Sequence, residues 1–213
     1  MKRLVIYIVI GALALLLGVA LNLGLQSDGS SLAKRLVKLE SGTALTGQER
    51  PVVDFQMTDK DGQPFTQEQF KGQWNYVFFG FTSCGYICPT TLKTLADAIR
   101  LLEEKQQAAD VQGVFISTDP DRDTVAKIKT YVEGFHPGLQ GIRGENEDLT
   151  KLTRQLDILF VKTDNPEDPE NYDMDHSAQI LVINPEGEYA AVLSPPHTPE
   201  ALAKDMITLK KAH

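Results

Sequence analysis

The chain has 213 residues, 42% of them hydrophobic and 23% charged, which is enough for one domain with a full core plus an extra segment at one end. The net charge is −8 at neutral pH, and beyond Arg3 there are 19 basic against 29 acidic residues. An acidic balance of that kind removes any electrostatic case for binding nucleic acid, while leaving a cationic protein partner compatible.

The extra segment is N-terminal. Leu4 to Leu21 is a run of eighteen residues without charge or proline, and as a helix at about 1.5 Å per residue it spans roughly 27 Å, nearly a hydrocarbon core. A cleaved signal peptide would share the positive start at Lys2 and Arg3, but the apolar run exceeds the ~7 to 15 residues of a signal core and no small-x-small cleavage site follows it. Residues 1–25 are therefore expected to be an uncleaved, single-pass transmembrane helix. Lys2 and Arg3 stay in the cytoplasm under the positive-inside rule, and the rest of the chain crosses. Three residues ahead of the run leave no room for an organelle presequence, so the expected setting is a bacterial inner membrane with a periplasmic C-terminal domain.

Residues 26–50 are polar and rich in Ser, Gly and Thr, and read as a tether with one short helix around Leu32 to Leu39. The globular domain is expected over 51–213. Val52 to Met57 and the stretch around Phe65 flank Asp59-Lys60-Asp61-Gly62 and predict a hairpin. Asn75 to Phe81 is a nearly continuous apolar run suited to a buried central strand. Thr91 to Lys105 has helical spacing, with Leu92, Leu95, Ile99 and Leu102 on one stripe. Val111 to Ser117 predicts a second buried strand, Asp123 to Phe135 a helix capped by Asp123, and Leu139 to Ile142 a short strand. Asn146 is placed to cap a helix from Glu147 to Leu156. Gln179 to Ile183 and Tyr189 to Leu193 flank an Asn-Pro-Glu-Gly turn as a hairpin, and Thr198-Pro199 opens a last helix. Strands alternating with helices and ending in a hairpin predict an α/β fold, a thioredoxin-like sandwich with a mixed central sheet and helices on both faces.

Cys84 and Cys88, the chain's only cysteines, lie between the first buried strand and the helix that Pro89 is expected to open. A helix N-terminus favours thiolate and is expected to lower a thiol's pKa. Residues four apart on a helix share a face, so the two sulfurs could form a disulfide or converge on one soft metal. A structural staple over so short a step gains little loop entropy. A thioredoxin-type couple has two intervening residues rather than three. A copper clip needs a third ligand. Spacing alone leaves redox and copper chemistry level.

The third ligand could come from four histidines. His176 immediately precedes the apolar strand of the C-terminal hairpin, and in a thioredoxin-like sandwich that loop packs beside the start of the cysteine-bearing helix. His136 reads as a helix C-terminal cap, and His197 and His213 have no placement argument. Asp173 and Asp175 could orient the imidazole, or simply cap the loop, and Met174 could offer a weak thioether but is better suited to packing.

Three separated stretches, "GFTSCGYICPTTL", "ISTDPDRDT" and "DHSAQILVINPEG", together resemble the Sco/SenC family of membrane-tethered, thioredoxin-fold copper chaperones for cytochrome c oxidase assembly. The similarity runs from about Pro51 to Leu193. It implies one bound copper, Cu(I) or Cu(II), held by Cys84, Cys88 and His176, and a partner in the oxidase subunit with the binuclear copper site. Asp119 matches an acidic position near the family's site, although starting the turn before Pro120 is an equally good role for it. The chain departs from the pattern at Ser83 and Gly85-Tyr86, where the family usually has a histidine before the first cysteine and Pro-Asp after it. The departure implies a less acidic, more flexible loop. The alternative that the same residues allow is a periplasmic thiol-disulfide reductase acting on the oxidase's copper-site cysteines, with Cys84 as the attacking thiol and no need for a metal.

Overall fold

In the computed structural model the described residues are Gly18, 37–163 and 172–213. The expected membrane helix at 1–25 lies outside them apart from Gly18, and among the described residues no helix is long and apolar enough to cross a membrane. The compact unit runs from Lys38 to His213.

Its centre is β5 (Trp74–Gly80), in which every residue is buried. An apolar run with no polar alternation can be a strand only if both faces are covered, and they are. β5 pairs in parallel with β6 (Val111–Ser117), and β6 in parallel with β7 (Gln140–Arg143). On the other side β5 pairs antiparallel with β10 (Ile180–Ile183), and β10 with β11 (Glu188–Leu193). The hairpin β3 (Gln56–Asp59) and β4 (Pro64–Thr66) extends the far edge by pairing with β7. Its turn closes through Gly62, whose positive φ of 80° suits glycine.

Alternation along β5 and β6 distributes the core between two layers. Val77, Phe79, Val114 and Ile116 share one cluster with Leu149 and Leu152 of α3 (Asn146–Gln155) and with Phe55, Phe65 and Phe70. On the opposite face the Tyr76 hydroxyl donates to the Leu202 carbonyl at 2.7 Å, pinning α4 (Pro199–Ala212) to the sheet. That layer also holds α1 (Ile87–Glu104), which packs on α4, and α2 (Val125–Glu133) beside β7. The result is the expected mixed sheet with helices on both faces.

Several expectations need correction. Residues 42–44 and Arg50, read as tether from their polar composition, belong to β1 (Gly42–Ala44) and β2 (Arg50–Pro51), both paired antiparallel with β11. Residues 26–36 of the tether, with most of its expected short helix, lie outside the described residues, and Lys38 makes an extended bridge to Thr43. Helix α1 begins at Ile87, two residues before Pro89, because the first turn of a helix has no partners for its N–H groups and tolerates proline throughout. Thr124, not Asp123, caps α2, accepting from the Lys127 amide. Asn146 is already inside α3, whose cap Glu145 makes no side-chain capping bond. Two short strands that the sequence reading leaves as loop, β8 (Phe160–Thr163) and β9 (Asp173–His176), form a separate antiparallel ribbon.

Candidate metal centre

The two cysteines are reached by different routes. Cys84 sits on the loop after β5, where its amide donates to the Phe81 carbonyl at 3.3 Å. Cys88 lies in the first turn of α1 and is fully buried. No side chain caps α1; instead the Cys88 N–H donates to Cys84 Sγ at 3.4 Å, so a thiol takes one of the free donors of the helix mouth. Gly80 at the end of β5 makes the space for Cys88. A Cβ at that position would stand 2.8 Å from Cys88 Sγ and 3.1 Å from Phe115.

His176 ends β9, opposite Phe160 in the ribbon. Its ring stands edge-on to Phe78 at 5.9 Å and to Phe81 at 6.0 Å between centroids, so β5 and its exit wall the imidazole on two sides. Nδ1 lies 3.1 Å from the Ser177 carbonyl, which accepts the ring N–H and fixes the tautomer with a lone pair on Nε2. That lone pair faces Cys88 Sγ at 3.2 Å. The expected orienting groups, Asp173 and Asp175, do not contact the ring: Asp173 accepts from the Met174 amide and Asp175 from the Thr163 hydroxyl. Met174 is buried, in keeping with packing.

Burial sets the electrostatics. It pushes the Cys88 thiol far above the ordinary value, against a lowering hydrogen bond with the Phe81 backbone, and Cys84 nearby pushes the same way as burial. The expected lowering by the helix N-terminus is thus overridden at Cys88, since removing a thiolate from water costs more than the helix dipole returns. Burial also holds the His176 imidazole below its usual range, which keeps it neutral and available as a donor, in opposition to the Ser177 carbonyl and the two aspartates.

The ligand atoms of Cys84, Cys88 and His176 all lie within 4.8 Å of one another. Donors bound to one ion at the ~2.0–2.3 Å typical of imidazole and thiolate are at most about 4.6 Å apart, so adjustments of tenths of an ångström would let all three hold one ion. Two sulfurs and an imidazole form a soft donor set suited to copper or zinc. His176 also lines an open cavity of about 270 Å³ with Leu159, Val161 and Asp175, on the ribbon side of the ring. The other histidines are elsewhere: His136 Nδ1 accepts from the Gly138 amide, His197 Nε2 lies 3.0 Å from the Ala178 carbonyl, and His213 packs edge-on to Trp74.

The resemblance places Asp119 near this site, but its partners and the role of Asp123 escape the sequence reading. Asp119 is 2% exposed and accepts from the Tyr172 hydroxyl at 2.6 Å and from Arg122 Nε at 2.5 Å. Asp123 is fully buried and accepts from both the amide and the hydroxyl of Thr82, two residues before Cys84, and from Ser117. One signal for Asp123 was present: Thr124 beside it is a competent cap, which frees the aspartate for another task.

Comparison with known proteins agrees with this architecture. The SCO1/SenC family model matches residues 43–211. The mitochondrial SCO2 homolog of Mus musculus is 40% identical over 134 residues, 63% of this chain and 52% of that protein, so the chain spans about half of the mouse protein's length. The SCO2-like protein of Rickettsia felis is 32% identical over 192 residues, 89% of each chain. Among solved structures, Arabidopsis thaliana ScoI with copper bound aligns with a TM-score of 0.69 and 32% identity, covering 76% of this chain and 99% of that one. With a family match over most of its length and a relative aligned nearly end to end, the chain belongs to the SCO1/SenC family.

Proposed function

We propose that this chain is a copper carrier that binds one copper ion, Cu(I) or Cu(II), through Cys84, Cys88 and His176 and passes it to the binuclear copper site of a cytochrome c oxidase subunit. The observation that carries the reading is the approach of His176 Nε2 to within 3.2 Å of Cys88 Sγ across 88 positions of sequence. A dithiol couple can exchange without a third donor, whereas a soft ion held by two sulfurs needs one, and His176 Nε2 stands where it would be supplied. The copper bound to the Arabidopsis relative supports the choice of metal. Both thiols must be reduced to bind, so exchange with a partner disulfide, which takes the two electrons and leaves as a dithiol while Cys84 and Cys88 join, would release the ion, and ligand exchange with the target's donors would hand it on.

The apolar run Leu4–Leu21 supports a single-pass anchor in a bacterial inner membrane, with the domain from Lys38 onward in the periplasm near the oxidase. The second reading, a thiol-disulfide reductase, draws on the partly exposed Cys84 sulfur and the amide N–H of Cys88 that donates to it. His176→Ala separates the two. Cu(I) competition titration of the reduced protein is expected to show affinity falling at least a hundredfold while thiol-disulfide exchange continues. Undiminished copper affinity in the variant would remove the carrier reading and leave dithiol chemistry.

A further inference from the structure

The six residues Asp119–Thr124, between β6 and α2, touch both halves of the centre. Toward the cysteines, Asp123 ties Thr82 to Ser117 at the end of β6. Toward the histidine, the guanidinium of Arg122 makes two directed bonds from one planar fork: Nε to Asp119, and Nη1 to the main-chain carbonyl of Tyr172 at 2.8 Å. Tyr172 immediately precedes β9, and its hydroxyl returns to the same Asp119. The guanidinium also lies over the Tyr172 ring at 3.6 Å and over Phe81 at 5.7 Å, and Phe81 is the ring that stands edge-on to His176.

This arrangement answers a mechanical problem. Among the described residues β9 pairs with β8 and with no strand of the main sheet, so its ladder fixes the ribbon internally but not against the thiols. Downstream of His176 the chain is tied to β5 from Ile180 onward; upstream, a contact at the start of β9 has to complete the placement. Arg122 is placed for it, being bonded to the start of β9 on one side and stacked on the residue that leaves β5 on the other. Its partner Asp119 is buried and doubly bonded, so the guanidinium is held rather than free to reorient.

We propose that Arg122, held by Asp119, is a positioning residue of the metal centre, fixing β9 so that His176 Nε2 stays within reach of both sulfurs. The proposal rests on the ligand set of the preceding section. A lysine at the same place keeps the charge beside Asp119 but has no fork to hold Tyr172 at the same time.

The test is a double-mutant cycle on the full-length reduced chain. Arg122→Lys is expected to weaken Cu(I) affinity at least tenfold in the wild-type background and less than twofold when His176 is already alanine, with the Cys84/Cys88 reduction potential unchanged in both. Equal weakening in the two backgrounds, or none in either, would overturn the proposal. Tyr172→Phe, which keeps the ring and the guanidinium and loses only the hydroxyl bond to Asp119, carries the same cycle with a smaller expected effect if Arg122→Lys folds poorly. A copper-free measurement separates this proposal from the carrier reading. In NMR spectra of the apo-protein, the ring-to-ring contacts between His176 and Phe81 are expected to be lost in Arg122→Lys, and their survival would overturn the positioning role whether or not the wild type binds copper.

Discussion

The two halves of the centre are built in opposite ways. The cysteine half is part of the core: Cys88 is fully buried in the first turn of α1, fitted against a glycine of the central strand, and its loop is tied down by a buried carboxylate. The histidine half rides on a two-stranded ribbon outside the main sheet, with exposed apolar side chains at Leu159 and Val161. Proximity along the chain brings the two sulfurs together, since they are four residues apart at a helix mouth. Only tertiary contacts bring the imidazole to them. The difference implies that substitutions on the cysteine side act on folding and binding together, whereas those on the ribbon act on binding alone.

The largest expected effect on stability comes from Asp123→Ala. It strands the Thr82 and Ser117 donors inside the protein, and unmet buried donors cost about 1–3 kcal/mol each in effect. We expect chemical denaturation to show a loss of roughly 2–3 kcal/mol, with weaker copper binding as a consequence of the loosened loop. A loss no greater than at a surface site would mean that the cysteine half is not anchored by this carboxylate.

The next effect concerns pH and has opposite signs in apo and loaded protein. Because burial raises the Cys88 thiol above its ordinary value of 9.0, its contribution to folding is fully present below that pH. It is lost as pH rises further, because the unfolded chain ionises Cys88 while the folded chain does not. The slope approaches about 1.4 kcal/mol per pH unit. Binding as a thiolate must expel the same proton, and each thiol proton displaced contributes about a factor of ten per pH unit, so apparent Cu(I) affinity should rise at least about tenfold per unit over the neutral range. Urea melts and competition titrations across pH 6–10 check both slopes, and a flat affinity profile would place a thiolate at Cys88 before the metal arrives.

The smallest effects sharpen the contrast. Gly85 has no neighbour within 4 Å of an added Cβ and no positive φ, so Gly85→Ala should change stability by less than about 0.5 kcal/mol. The loop's departure from the family pattern at this position is thus tolerated for lack of contacts rather than demanded by backbone geometry. A melting-curve shift of several degrees in Gly85→Ala would show that the loop depends on the conformational freedom of glycine.

Much of the fold is legible in the sequence where one physical signal dominates. The apolar run of β5, the stripe of Leu92, Leu95 and Ile99 in α1, and the Asn184–Gly187 turn each allow a single assignment. The edge strands β1 and β2 are not legible, because three residues and two residues of ordinary polar sequence become strands only when β11 supplies a partner. The β8–β9 ribbon escapes for the same reason. At the centre, spacing and the position of His176 before a buried strand make Cys84, Cys88 and His176 candidates to meet, and it is the resemblance carried by three separated motifs that joins them as one ligand set. Their supports are not legible: Asp119 and Asp123 look like turn and cap residues until the fold buries them, and the ring's partner is a main-chain carbonyl, which no side-chain pattern encodes.

That carbonyl has a bearing on charge. Because Ser177 offers the imidazole an uncharged acceptor rather than a carboxylate, two thiolates and a neutral ring sum to −2. A divalent cupric ion would cancel this, while a cuprous ion would leave one negative charge in surroundings where burial already penalises ions. For the proposed ligand set, charge balance thus favours a divalent ion while the softness of two sulfurs favours a monovalent one, and the neutral Ser177 acceptor leaves those two tendencies opposed.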